Sequence, residues 1–338
     1  MPVSVSAKGV HSSILYEGLL LAIALISKWF RVLTIGLGIP GNIIAFLVTI
    51  RKDNRRISAC VYMAALAVMD SVVLLQRILY SAFIAIDERF LLDKTFLCIC
   101  WFMAGFGAVS SALCLSEMTV DRAIHVVYPM KAVRICTASK ATKVVLVTIA
   151  IQGLVHVGAF FSYEVADPGV MRREVSIPWL GVLLDNHDLI VGALVPFLVI
   201  ATSNTLIVIA IRRAANRRKA MAATDSVKGR LQEGSITKIL VIVSIGFLVC
   251  QVPLRLYETL LSMPNVLTMY DGTSDNYWST RHLLQYWIFV ELFMANFAIN
   301  FYLYFLAGGK KFRNDALELF RACLPREPYR ERELSKSL

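Results

Sequence analysis

Seven long apolar stretches constrain this chain more than any other feature of its sequence. A hydrocarbon core offers no hydrogen-bond partners to backbone groups, so a crossing segment must be helical and about 20 residues long. Seven segments meet this requirement, four of them with isolated charges: residues 32–50, 57–86, 96–120, 144–163, 189–211, 239–261 and 283–307. The sequence therefore predicts an all-α membrane protein, a bundle of seven transmembrane helices.

Composition and charge distribution support a multi-pass membrane protein. Hydrophobic residues make up 57% of the 338 positions and charged residues only 17%, which is too apolar for a soluble chain. Lys and Arg exceed Asp and Glu in segments 51–56, 122–143 and 212–238, whereas acidic residues exceed basic ones in 87–94 and 164–188. Cytoplasmic loops are the ones enriched in Lys and Arg. We therefore expect a protein of the plasma membrane whose N-terminus is extracellular. The net charge of +11 follows from the basic cytoplasmic loops and does not indicate nucleic acid binding.

Four regions follow from this arrangement: an extracellular tail (1–21), a seven-helix domain (22–307), an amphipathic interfacial helix (308–324) and a disordered cytoplasmic tail (325–338). The third region alternates apolar and basic residues at helical spacing, which predicts binding to membrane lipids. Cys323, at its end, is either a palmitoylation site or an unmodified thiol.

Two segments on the predicted outer side have distinctive composition, one apolar and one polar. Residues 19–27 are apolar, but no basic region precedes them, so we interpret them as the outer part of the first helix rather than as a signal peptide. The polar segment 167–177 contains Pro168 and Gly169, which predicts a loop.

A carboxylate in the middle of the second apolar stretch must have partners. Asp70 would be costly at that depth unless it is neutralised or hydrogen-bonded. Asn42, Ser111, Asn296 and Asn300 lie at comparable depths on other predicted helices, so we expect a shared polar cluster. Its oxygens would suit a sodium ion. The alternative is a hydrogen-bonded network that binds no ion.

The inner end of the third stretch carries Asp121 and Arg122. Glu233 precedes Pro253 by 20 residues, about 30 Å along a helix, which places it at the same cytosolic face. We expect Arg122 to pair with Asp121 and Glu233 at rest, and helix six to swing outward about Pro253 on activation. The alternative is a solvated surface ion pair of about 0–1 kcal/mol.

Six motifs in order resemble those of rhodopsin-like (class A) G-protein-coupled receptors. They are Gly41-Asn42, Leu66-Ala67-x-x-Asp70, Asp121-Arg122, Pro196, Phe247-x-x-Cys250-x-x-Pro253 and Asn300-x-x-x-Tyr304. The resemblance covers residues 41 to about 320. It implies a sodium ion beside Asp70, no other cofactor, and switch roles for Phe247 and Tyr304.

The chain departs from the family pattern at several positions. Ala123 replaces the usual Tyr, Gln251 and Gln152 replace Trp residues, and Phe301 replaces a Pro. The family's disulfide from helix three to the outer loop has no partner in residues 162–188, so the pairing of Cys98 and Cys100 stays open.

The resemblance also bears on the ligand. Amine receptors carry an Asp where this chain has Ala104, and opsins need a Lys that residues 283–307 lack. Segments 121–137 and 300–313 look like those of invertebrate neuropeptide receptors of the FMRFamide type. Charged and aromatic residues in the outer half would suit a short peptide. They are Arg77, Trp101, Arg255, Tyr257, Glu258, Trp287 and Glu291.

The predicted function is thus a receptor that binds an extracellular ligand, a neuropeptide by this resemblance, and activates a heterotrimeric G protein. An enzyme is not expected, because the five His residues are scattered and no catalytic constellation is evident. Two alternatives stay open. One is a transporter or channel that uses Asp70, Glu117 and Glu291 as an ion path, and the other is a receptor-like protein without signalling activity.

Overall fold

The structure is a computed structural model that describes residues 7–167, 170–173, 178–220, 245–247, 249–257, 276–307 and 310–323. Its helices are named here by the spans predicted above. They are span 1 (Ala7–Thr49), span 2 (Ser58–Ile86), span 3 (Lys94–Val127), span 4 (Ala138–Val157), span 5 (Pro178–Leu189, Ile190–Leu194 and Val195–Ala220), span 6 (Ile245–Tyr257) and span 7 (Asn276–Ala307).

Six of these helices are long and apolar enough to cross a membrane. Span 6 is a shorter apolar helix at the position predicted for the sixth crossing, and the rest of that predicted segment lies outside the described residues. Many large apolar side chains on the spans are exposed, such as Trp29, Leu154 and Leu198. Such a surface suits lipid rather than water. The all-helical bundle predicted from the sequence is confirmed.

Several helices extend beyond their predicted ends. Span 1 begins at Ala7, within the segment predicted as an extracellular tail, although its apolar part begins at Leu21. Span 3 continues past Arg122 to Val127, since Ala123 and Val126 pack against Ile207 and Ile211 of span 5. That packing stabilises further helical turns, whereas a boundary set by hydropathy marks only the end of the apolar stretch.

The outer loop contains a short antiparallel hairpin. Strand β1 (Tyr163–Asp167) pairs with β2 (Val170–Arg173) in a register that joins Tyr163 to Arg173 and shifts between Val165 and Asp167. The sequence predicts a loop here, and the structure differs by pairing the two strands. A Pro-Gly pair is a common turn signal between strands, and it indicated the turn without indicating the pairing around it. Pro168 and Gly169 themselves lie outside the described residues.

Span 5 contains a π-helical turn, Ile190–Leu194, immediately before Pro196. Proline cannot donate a backbone hydrogen bond, and its ring clashes with the carbonyl of the preceding turn of an α-helix. A wider turn relieves that clash, which explains its position.

Span 3 is central and contacts spans 2, 4 and 5, while span 1 packs against spans 2 and 7. The inner core includes Leu66, Leu115, Phe247 and Tyr304, and the outer core includes Val73, Leu74, Leu254 and Phe297. A further helix (Lys310–Cys323), the tail helix, packs Ala316 against the base of span 1. It lies within the predicted amphipathic segment 308–324. Segment 325–338 and the side chain of Cys323 lie outside the description.

Candidate functional site

The buried carboxylate of Asp70 joins spans 2, 3 and 7. Its side chain accepts hydrogen bonds from the Ser111 hydroxyl and, at 2.7 Å, from the Asn300 amide. Asn42 instead donates a hydrogen bond to the Phe297 carbonyl at 3.0 Å. Asn296, the residue before Phe297, is buried. The structure thus brings Ser111 and Asn300 onto Asp70, whereas the Asn42 amide bonds to the backbone of span 7.

The Asp70 site carries oxygen atoms of the kind that a small cation would need. Among the described residues Asp70 has no ion-pair partner, and a carboxylate has about four acceptor positions, of which two are used here. Its oxygens, with the Ser111 hydroxyl and the Asn300 amide oxygen, are ligands of the type that hard cations prefer. Sodium binding stays a prediction.

A second polar centre lies at the inner end of span 3. The Asp121 carboxylate accepts a hydrogen bond from Ser58 of span 2 at 2.9 Å and lies 3.4 Å from Nη2 of Arg122. His125 Nδ1 is 2.8 Å from the Asp121 carbonyl. Within the described part of the chain, Nε and Nη2 of Arg122 are buried without a hydrogen-bond acceptor. Glu233, its second predicted partner, lies outside the described residues.

Two predicted switch residues, Phe247 of span 6 and Tyr304 of span 7, are buried together in the inner core. Phe247 is almost fully buried in the inner core, and Pro253 lies inside span 6. The Tyr304 hydroxyl is buried and finds no hydrogen-bond partner among the described residues, while its ring meets Phe312 of the tail helix edge-on. A buried unpaired hydroxyl is costly, so a rearrangement that supplies a partner would stabilise Tyr304.

Most of the predicted ligand-pocket residues belong either to a buried ion pair or to an aromatic cluster between spans 6 and 7. Arg77 and Glu291 form a buried ion pair with each other between spans 2 and 7. Arg255 lies over the Phe293 ring at 5.1 Å, and Tyr257 packs against Tyr286 and Phe289. Trp287 contacts Tyr286 on the same helix. Because Tyr257 also contacts Tyr286, spans 6 and 7 share one aromatic cluster. Trp101 is 47% exposed, and Glu258 lies outside the described residues.

Sequence analysis missed one constellation at the opposite end of the bundle from Arg122. His156 at the end of span 4 lies 3.2 Å from the Asp188 carboxylate of span 5, and His187 Nδ1 lies 3.4 Å from the same oxygen. The expectation that the His residues are scattered was therefore wrong for these two. Their separation of 31 positions hid the contact, because only the fold brings the ends of two adjacent helices together.

The acidic residues proposed for an ion path each have a separate partner. Glu117 accepts a hydrogen bond from Thr148 of span 4 at 2.6 Å, Glu291 pairs with Arg77, and Asp70 binds Ser111 and Asn300. This arrangement holds helices together and does not favour the channel alternative.

Comparison with known proteins agrees with this geometry. Residues 41–304 match the model of the 7 transmembrane receptor (rhodopsin family), so the chain belongs to that family and is a multi-pass membrane protein. This is a family of receptors, which agrees with the expectation that the chain is not an enzyme.

Two receptor types are among its relatives. The chain is 30% identical to the human thyrotropin-releasing hormone receptor over 146 residues, which is 41% of this chain and 36% of that protein. It is 26% identical to the rabbit (Oryctolagus cuniculus) type-1 angiotensin II receptor over 200 residues, which is 56% of this chain and 55% of that protein. The chain thus matches between about a third and just over half the length of these relatives. The finer resemblance to FMRFamide-type receptors is not confirmed by them.

Proposed function

We propose that this protein is a plasma-membrane receptor with an extracellular N-terminus, which binds a peptide and activates a heterotrimeric G protein. The observation that carries the proposal is the Ser58–Asp121–Arg122 arrangement at the inner end of span 3, in a chain of the rhodopsin family. The relatives are receptors for thyrotropin-releasing hormone and angiotensin II, and this supports a peptide ligand.

The inner arrangement supports a switch. Ser58 and Arg122 share the Asp121 carboxylate, which ties span 3 to span 2. In the described residues Nε of Arg122 is buried without a hydrogen-bond acceptor, and its Nη2 has only the 3.4 Å contact with Asp121. A buried charged donor gains from any carboxylate or carbonyl that reaches it. We propose that Glu233 is this acceptor at rest and that outward movement of span 6 about Pro253 frees Arg122 for the G protein.

The outer arrangement suits a peptide with charged and aromatic groups. Arg255, Tyr257 and Trp287 surround the interface between spans 6 and 7, where a ligand would press on the helix that must move. Aromatic rings and a guanidinium provide stacking, cation–π and charge-assisted contacts. Ligand binding acts by differential affinity for two conformations of the bundle.

A peptide library tested in cells, followed by nucleotide exchange on purified G proteins, examines this proposal. We expect a peptide that accelerates exchange in the wild type. Arg255→Gln should weaken the response at a given peptide concentration. Glu233→Gln should raise ligand-independent exchange, with Glu318→Gln on the exposed tail helix as the matched control. Absence of exchange with every peptide and every G-protein class would contradict the proposal.

We also propose a sodium ion at Asp70, held with Ser111, Asn300 and Asn296. The ion would stabilise the resting bundle, because the carboxylate otherwise carries its charge in a buried site. Replacing potassium by sodium should raise the melting temperature of the wild type, and Asp70→Asn should abolish the difference. An equal response of the variant to sodium would leave only the hydrogen-bonded network.

A further inference from the structure

His156, His187 and Asp188 form a compact cluster where span 4 ends and span 5 begins. Nε2 of His156 and Nδ1 of His187 lie 3.2 and 3.4 Å from the same Asp188 oxygen, and the three candidate ligand atoms all lie within 4.8 Å of one another. The two imidazole rings meet edge-on with centroids 5.4 Å apart. None of these residues belongs to the switch or to the predicted peptide pocket.

The hydrogen bonding of His156 leaves its Nε2 directed toward the Asp188 carboxylate. Its Nδ1 lies 2.8 Å from the carbonyl oxygen of Gln152, and a carbonyl can only accept, so Nδ1 carries the ring proton. In the tautomer with its only ring proton on Nδ1, Nε2 offers a lone pair beside the Asp188 oxygen, 3.2 Å away. A metal ion placed between the two atoms would bind both of them.

The spacing suits zinc. Tetrahedral Zn²⁺ sites have metal–ligand distances of roughly 2.0–2.2 Å for His nitrogen and carboxylate oxygen, which separates neighbouring ligand atoms by roughly 3.3–3.5 Å. The two separations at Asp188, 3.2 and 3.4 Å, are close to this edge length. Zinc-binding His residues commonly donate their other ring N–H to a carbonyl or carboxylate, as His156 does toward Gln152.

Span 3 makes room for the cluster. A Cβ added at Gly105 would lie 2.6 Å from Cδ2 and 2.8 Å from Nε2 of His156, and 3.5 Å from Asp188. Any side chain at position 105 would therefore displace the imidazole from Asp188. His156 is buried, whereas a quarter of the Asp188 side chain is exposed, so an ion can reach the cluster from its open side.

We propose that His156, His187 and Asp188 bind one Zn²⁺ ion, with a fourth position open to water or to a ligand group. Two neutral imidazoles and one carboxylate form a three-residue ligand set of a kind found in zinc sites with an open position. The ion would fasten span 4 to span 5 across Gly105 of span 3.

The test uses purified full-length receptor in lipid nanodiscs, stripped with a chelator and titrated with zinc chloride against a chromogenic indicator at pH 7.4. We expect one saturable site per receptor and a higher melting temperature with zinc. His187→Ala and Asp188→Asn should each weaken binding by roughly 100-fold, the upper range for losing even an outer-shell partner. Gly105→Ala should weaken it as well, with Gly153→Ala as the control, because an added Cβ there would make only an ordinary contact with Phe106 at 3.9 Å.

Two further variants separate a zinc site from a merely structural cluster. His187→Cys should keep zinc binding and gain affinity for cadmium, because a thiolate is a soft ligand. His125→Ala, in the separate group Asp121, His125 and Cys136, should leave the binding unchanged. The proposal is overturned if no saturable site appears, or if binding survives His187→Ala and disappears with His125→Ala.

Discussion

Arg77 of span 2 donates hydrogen bonds from one nitrogen to both carboxylate oxygens of Glu291 of span 7. Both side chains are buried, with exposed fractions of 7% and 4%. Ser81 connects Arg77 to span 1, because its hydroxyl donates a hydrogen bond to the Arg77 carbonyl and accepts one from Arg31 at 2.6 Å. A charged chain therefore links spans 1, 2 and 7 in the half of the bundle opposite Arg122.

Breaking the Arg77–Glu291 pair should destabilise the protein strongly. Removing one partner of a buried ion pair leaves an uncompensated charge and costs about 3–5 kcal/mol. We expect Glu291→Gln and Arg77→Gln each to lower the melting temperature of the purified receptor. The double variant Arg77→Met/Glu291→Leu should recover much of the loss, because it buries no charge. A double variant no more stable than either single variant would contradict this account.

Close helix packing gives a second prediction, at Gly38 of span 1. A Cβ there would lie 2.5 Å from Leu74 and 3.0 Å from the backbone of Ala298, so span 1 could not keep its contact with spans 2 and 7. Overpacking of this kind costs about 1–3 kcal/mol. Gly38→Ala should therefore lower the melting temperature.

The control for Gly38 lies two residues away on the same helix. Gly36 has nothing within 4 Å of an added Cβ, and alanine is the better helix former by about 1 kcal/mol. Gly36→Ala should leave the melting temperature unchanged or raise it. Equal losses for the two variants would show that helix contact at Gly38 is not the cause.

Sequence reasoning predicted the bundle because the cost of an unsatisfied backbone in hydrocarbon leaves few solutions. It also placed Asp70, Ser111 and Asn300 at one depth, where the structure joins them. It did not pair Arg77 with Glu291 or bring His156 to Asp188, because hydropathy gives depth along a helix but not rotation about its axis. Which residues face each other depends on side-chain packing between helices distant in sequence.

The thiol of Cys136 in the inner loop gives a prediction on pH. Burial, together with the charge of Asp121, raises the pKa of Cys136 from 9.0 to about 11. The thiolate is the reactive form, so a raised pKa keeps Cys136 protonated and slow to react at neutral pH. Alkylation followed by peptide mass spectrometry should show a rate that rises about tenfold per pH unit from 7 to 9 without a plateau.

Asp121→Asn supplies the comparison for Cys136, since it removes the carboxylate that opposes thiolate formation. We expect faster alkylation of Cys136 in that variant at every pH below 9, with Cys136→Ser confirming the assignment of the peptide. A plateau near pH 8.5 in the wild type would mean that the thiol has an ordinary pKa.

The tail helix is held to the first inner loop by Arg51 and Asn54, and its two acidic contacts differ in burial. Asn54 donates to Asp315 at 2.8 Å and to the Val48 carbonyl at 2.9 Å, while Arg51 lies 2.9 Å from Glu318 and 3.5 Å from Asp315. The exposed fraction is 17% for Asp315 and 64% for Glu318. Exposed ion pairs contribute about 0–1 kcal/mol, whereas a buried amide that loses its acceptor costs about 1–3 kcal/mol.

Asp315→Ala should therefore accelerate hydrogen exchange throughout Lys310–Cys323, and Glu318→Ala should change it little. Equal acceleration by both variants would show that charge alone, rather than the buried Asn54 contact, holds the tail helix in place.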